Sequence, residues 1–564
     1  MPHFHYQVAI PQPTNHLLDI CLTVSAWIEP ILEWKMPVWS VGSYLVREYS
    51  RHVIAFSANC PCRKIAKNHW RLTPTPSAPI TIHYQLFCHE LTVRTNHVDE
   101  THAFWNGSAA FGWIEGYLEH PYTVTIVPPD RWRIATALTQ VAENTYWADS
   151  FHVLADSPFE VGIHQVYQFQ VLDKSHELVI WGEGNINPSQ TIEDIKQIII
   201  TEANFWGELP YEKYLFILHL SSGDYGGLEH RNCCVLLFDR WSFVQDKYIK
   251  FLNLVAHEFF HLWNVKRLRP ASLFSINYEA ENYTHSLWFC EGVTSYYDQL
   301  LTLRAGLIDR HRYLQQVSES ITKLQTTLGR KYQSLWESSF DAWIKLYRPD
   351  ANSANTQVSY YLKGELVAML LDLHLRLYSN ISLDVVMQTL WHRYGRPELP
   401  YTDQQLLDLV SELSGLNLES FWQNYLYGTT ELDYDHYFAP FGLKLQAQIN
   451  HNIPYTGITF ATVQGALIAK TVVTNSPAQL AGIDAGDEII AINHRRVNLE
   501  QINQPLQNYR SGETVQFTIF AQDELRTVSV SLGEPVVDRF VVSLLPDLNE
   551  MQLKNLSAWL NPSQ

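Results

Sequence analysis

Two histidines four residues apart, with a glutamate directly after the first, stand at His257, Glu258 and His261. The surrounding stretch, 246–265, contains no Gly or Pro and reads as a helix. On a helix, positions i and i+4 share a face one turn apart. Both imidazoles can therefore reach one metal ion at roughly 2 Å. Glu258 projects beside that ion, where a carboxylate can take a proton from water. The plain alternative is a pair of core histidines on a buried helix.

A hydrolytic zinc site takes three protein ligands and keeps a fourth position open. Glu291 is the candidate third ligand. It lies in a helix-like stretch, 285–306, directly after Trp288, Phe289 and Cys290. A carboxylate in such apolar company is costly to bury unless it is paired or metal-bound. Ser295, one turn on, is a candidate for orienting a ligand. An electrophilic group is needed for the developing oxyanion, and Tyr361, with Tyr360 as its neighbour and substitute, precedes the apolar helix 363–379. Gly226, Gly227, Leu228, Glu229 and His230 read as a glycine-rich turn between two strands. An acidic residue there can meet the cationic end of a substrate, and His230 adjoins it. Lys266, Arg267 and Arg269 suit either a substrate carboxylate or, more simply, helix-end contacts and internal ion pairs.

Three regions of different texture carry these residues. Residues 1–185 are rich in β-branched and aromatic residues with Pro breaks, and read as an all-β, sandwich-like domain. Residues 186–442 turn to helical periodicity after a short apolar strand at 214–220, and read as an α+β domain that is mostly helical. Residues 443–537 return to short strands and Gly turns, with a helix expected over 498–508. A short helix and tail fill 538–564. The length of 564 residues suits about three domains. A net charge of −18 argues against nucleic-acid partners and anionic membranes. No stretch of about 18 apolar residues predicts a membrane span. Seven cysteines with no visible secretory signal point to the reducing cytoplasm.

These motifs together resemble the glycyl aminopeptidase family of zinc metallopeptidases, within the gluzincin group. Residues 257–270 and 287–297 are similar to that family's metal segments, and 36–53 to its β-domain signature. The resemblance implies a thermolysin-like catalytic domain. It makes His257, His261 and Glu291 the ligands of one zinc ion per chain, and Glu258 the general base. It carries the transition-state tyrosine onto Tyr361 and the holder of the free α-amino group onto Glu229, and implies a preference for small first residues such as Gly or Ala. The family's usual Pro before the signature Gly is Val41 here, a change expected to touch the turn and not the chemistry. Residues 471–497 resemble a PDZ domain, for which Gly457, Ile458 and Thr459 are the candidate peptide-groove residues.

The expected activity is removal of N-terminal residues from peptides with a free N-terminus. The PDZ domain is a possible second site for a peptide ligand. Two alternatives stand beside this reading. One is an endopeptidase or oligopeptidase that captures substrates with its PDZ domain. The other is an inactive peptide-binding scaffold.

Overall fold

The computed structural model describes residues 2–75, 78–450 and 452–561. They form two compact units, one built from 1–283, 297–308 and 387–406, the other from 284–296, 309–386 and 407–564. Among the described residues no helix is long and apolar enough to cross a membrane.

The first unit opens with a seven-stranded sheet, in which His3–Ala9 lies between Tyr122–Val127 and Leu17–Ser25. Strand Ile80–Phe87 shows why it forms: its residues alternate buried and half-buried, so one face packs on the core. Two four-stranded sheets complete the β front, around a core dense in aromatic rings such as Trp34, Tyr84 and Trp105.

A five-stranded sheet follows, in the order Gln165–Val171, Lys174–Trp181, Lys213–Ser221, Cys233–Asp239, Tyr225–Glu229. Its middle three strands run parallel and its outer pairs antiparallel. Lys213–Ser221 and Cys233–Asp239 are apolar on both faces, as strands covered on both sides must be. Helices Pro188–Trp206 and Gln245–Phe260 pack on each other, and the second also packs on the last two strands.

Two local expectations change here. Tyr225–Glu229 is a strand at the sheet edge, not a glycine-rich turn. Its glycines serve a close approach described below. The helix expected through 265 ends at Phe260. Past it, the buried Arg267 guanidinium donates to the carbonyls of Leu262, Arg231 and Pro210 and to Asn232 Oδ1, which holds the chain in a compact series of turns.

The second unit holds a π-helical turn, Trp288–Val293, and the helices Arg310–Gln325 and Tyr360–Tyr378. Its C-terminal part has its own apolar core and a sheet ordered Ile458–Val463, Ala466–Val472, Glu488–Ile492, Thr514–Ala521, Glu524–Ser531. The helix expected over 498–508 shrinks to Asn503–Leu506. The Asn498 side chain accepts from Gln501 N–H and closes a turn first, and Pro505 lacks a donor to extend a ladder. Glu550–Leu560 is the expected terminal helix, capped by Asn549 and Gln552. Residues 562–564 of the expected tail lie outside the described residues. The expected β front, mostly helical middle and β C-terminal region are all present.

Gly292 and Gly364 let the π turn and the helix Tyr360–Tyr378 touch backbone to backbone. A Cβ on Gly292 would stand 2.5 Å from Gly364 Cα and 2.9 Å from Tyr360 O. Neither neighbour is a flexible side chain that can move away. Gly292→Ala is therefore expected to destabilise by about 1–3 kcal/mol, the usual range for overpacking, read as a lower urea midpoint. An unchanged midpoint contradicts this packing.

Candidate active site

The site grows from the end of helix Gln245–Phe260. His257 and Glu258 are in its last turn, and His261 follows directly. The two imidazoles stand 4.6 Å apart and nearly perpendicular. His261 Nδ1 lies 2.7 Å from the Asn264 carbonyl oxygen, which can only accept, so Nδ1 carries the proton. His257 Nδ1 lies 2.9 Å from Asp298 Oδ2. Both bonds favour the tautomer with its lone pair on Nε2, the one a metal needs. The donor set therefore fits a zinc ion.

Asp298 is a residue the motif reading misses. It is Asp298, and not Ser295, that bonds His257. Burial raises its carboxyl to about 6, while the His257 contact works the other way. Behind it, the wholly buried Glu202 is pushed well above the usual carboxylate range, first by burial and then by Asp298.

The edge strand supplies the next pair of groups. A Cβ on Gly227 would overlap the Glu258 carboxylate, so a side chain there would push Glu258 from this position. Arg94 donates to the Gly227 carbonyl at 3.1 Å. Glu229 is 3% exposed, and its Oε1 has no hydrogen-bond partner among the described residues. Donor atoms of Glu229, Glu258 and His261 all lie within 4.8 Å of one another. Gly42, at φ +87°, sits where a side chain would overlap the Glu229 carboxylate. This brings the front β domain onto the site.

A recess of about 20 Å³ lies beside Glu229, walled by Trp39, Val41, Gly42 and Tyr44. Val41 thus reaches the neighbourhood of the chemistry, contrary to the expectation that it touches only a turn. His230 is turned onto Asp156 at 3.2 Å, and Lys266 donates to the same carboxylate at 2.7 Å. With Arg267 bound to carbonyls, the basic run at 266–267 makes internal contacts, the simpler of its two expected roles.

In the second unit, Glu291 lies in the π turn and is 2% exposed. Such turns recur at functional sites because the extra residue re-aims a side chain. Tyr361 lies in the first turn of helix Tyr360–Tyr378, with its hydroxyl 3.3 Å from that of Tyr347. Burial, and then the nearby Glu291 carboxylate, push its phenol well above the ordinary value. Tyr361 therefore keeps its proton and can donate. Tyr360 stacks on Tyr361 at 4.6 Å. Gly457, Ile458 and Thr459 line a separate cavity of about 730 Å³, along with Phe460 and Leu506.

Replacing a carboxylate that orients a metal-binding imidazole costs about 10–100-fold in metal affinity or activity. Asp298→Asn is expected to weaken zinc retention by that factor in competition with a chelator. Unchanged retention contradicts the orienting role.

Residues 250–367 match the model of the M61 glycyl aminopeptidase, 5–163 that of the peptidase M61 N-terminal domain, and 454–532 that of a PDZ domain. The crystal structure of an aminopeptidase N family protein from Idiomarina loihiensis is 31% identical. The match covers 99% of this chain and 100% of that one, with a TM-score of 0.94. An M1 zinc metallopeptidase from Deinococcus radiodurans is 15% identical over 76% of this chain and 94% of that one, with a TM-score of 0.49. A comparison with curated proteins finds no match. The family models and the relative matched along almost the whole chain agree: the chain belongs to the M61 glycyl aminopeptidase family, and is a zinc metallopeptidase of the aminopeptidase kind with a C-terminal PDZ domain.

Proposed function

We propose that the enzyme releases small N-terminal residues, Gly or Ala, from peptides, with Glu229 holding the free α-amino group. One observation carries this reading. Glu229 Oε1 is a buried carboxylate oxygen with no partner among the described residues, beside the Glu258 carboxylate. An unpaired buried charge is costly, and a substrate ammonium is the group that satisfies it. Holding that ammonium beside the base makes the first peptide bond the one that is cut.

The proposed ligands of one catalytic zinc are His257, His261 and Glu291. Bound there, zinc supplies Lewis acidity to a water and to the scissile carbonyl. Glu258 takes the proton of the attacking water and passes it to the leaving amine nitrogen. Tyr361 donates its hydroxyl proton as a hydrogen bond to the carbonyl oxygen as negative charge builds there. Gly226 and Gly227 keep the edge strand bare of side chains, so a peptide can lie against it. The recess of about 20 Å³ beside Glu229 has room for one methyl-sized group, since about 10–15 Å³ holds a single water. That supports the preference for Gly and Ala.

The cavity at Gly457, Ile458 and Thr459 is the proposed groove for a peptide added as a strand. The seven cysteines are all free, which suits a reducing cytoplasm.

Two variants test the assignment with alanyl and glycyl chromogenic amides. Glu258→Gln should lower kcat about 10²–10⁴-fold, the usual worth of a general base, with zinc content unchanged. Glu229→Ala removes a charge-assisted contact worth about 1.5–3 kcal/mol. That corresponds to a loss of about 10–150-fold in kcat/KM. Activity that survives Glu258→Gln, or unchanged kinetics in Glu229→Ala, overturns the corresponding role.

A further inference from the structure

A second cluster of metal-capable side chains lies outside the set assigned to catalysis. Glu160 is a wholly buried carboxylate, and the side chains of His102, His164 and His219 around it are also 0% exposed. His219 Nε2 lies 2.9 Å from Glu160 Oε2, His102 Nδ1 lies 3.1 Å from Oε1, and His164 Nδ1 lies 3.6 Å from Oε1. Donor atoms of His102, Glu160 and His219 all fall within 4.8 Å of one another.

A buried carboxylate needs a positive partner. Among the described residues no lysine or arginine pairs with Glu160, so imidazole N–H groups or a bound cation face its charge. An imidazolium fits poorly. If His102 or His219 were doubly protonated, its second N–H, at Nε2 or Nδ1, would have no acceptor. Neither nitrogen of His164 has a hydrogen-bond partner among the described residues. A buried charged donor left unmet costs more than a neutral one. Neutral imidazoles instead offer lone pairs to an ion.

The spacing also suits one. With metal–ligand bonds of 2.0–2.2 Å, neighbouring ligand atoms in a tetrahedral site lie about 3.3–3.6 Å apart. The separations here run from 2.9 Å for His219 Nε2 and Oε2, through 3.3 Å for His102 Nδ1 and that same oxygen, to 3.6 Å for His164 Nδ1 and Oε1, and so span that range. Imidazole donors select zinc and similar transition metals over calcium or magnesium.

We propose that His102, Glu160 and His219, with His164 as the nearest fourth donor, hold a structural zinc ion. Four protein ligands leave no open position, so the site supports structure and not hydrolysis. Its ligands come from elements that must stay together. His102 and Glu160 lie on adjacent strands of the β front, His102–Asn106 and Pro158–Gly162. A side chain on Gly162, opposite His102, would overlap the His102 Cβ, so glycine there permits the approach. His219 lies on Lys213–Ser221, the central strand of the five-stranded sheet whose edge carries Glu229. The ion fastens the front domain to the sheet that presents the amine anchor.

Anomalous diffraction at the zinc edge, from full-length wild-type crystals grown with zinc, tests this directly. A peak among His102, Glu160 and His219 is expected, whatever is found at His257 and His261. No peak there overturns the proposal, while a missing peak at His257 and His261 bears only on the catalytic assignment. In solution, full-length His257→Ala/His261→Ala protein produced with zinc should retain one equivalent per chain by elemental analysis. Adding Glu160→Gln should remove it, with the circular dichroism spectrum showing whether the fold is kept. A folded double variant that carries no zinc overturns the proposal.

Discussion

A metal-binding imidazole is aimed when its other ring nitrogen is held, and such bonds organise the site. His257 and His261 are each held at Nδ1, one by the Asp298 carboxylate and the other by the Asn264 carbonyl. The second bond asks the chain to leave the helix after Phe260, and the buried Arg267 guanidinium steadies the turns that follow. The first asks for a carboxylate deep in the protein. Asp298 lies seven residues after Glu291 along one helical stretch, 288–304. One stretch thus provides both the proposed third ligand and the residue that aims the first.

Glycines decide where the other carboxylates go. Gly227 makes space for Glu258, and Gly42 for Glu229. The Gly292–Gly364 contact brings the π turn bearing Glu291 against the helix bearing Tyr361. At Gly227, Gly292 and Gly364 the missing Cβ is a packing requirement, while Gly42 also has a left-handed backbone.

Much of this is legible in the residues themselves. The i, i+4 histidines and their glutamate carry a strong periodic signal, and Glu291 stands out as a charge among aromatic residues. The domain order follows from a change of period, from alternation to 3.6 residues and back. Other features need the third dimension. Asp298 looks like any acidic residue of a helix until its burial and its bond to His257 are known. The Gly226–Gly227 pair looks like a turn because turn and edge-strand glycines have the same composition. His102, Glu160, His164 and His219 are scattered over more than a hundred residues; strand pairing joins the strands of His102 and Glu160, and His219 comes from another sheet.

The central claim is that Glu229 makes the enzyme count from a free N-terminus. Mass spectrometry of the products from one alanyl peptide, offered with its N-terminus free or acetylated, tests that most directly. The account predicts stepwise release of alanine from the free peptide and no cleavage of the acetylated one. Internal cleavage of both at similar rates would contradict it.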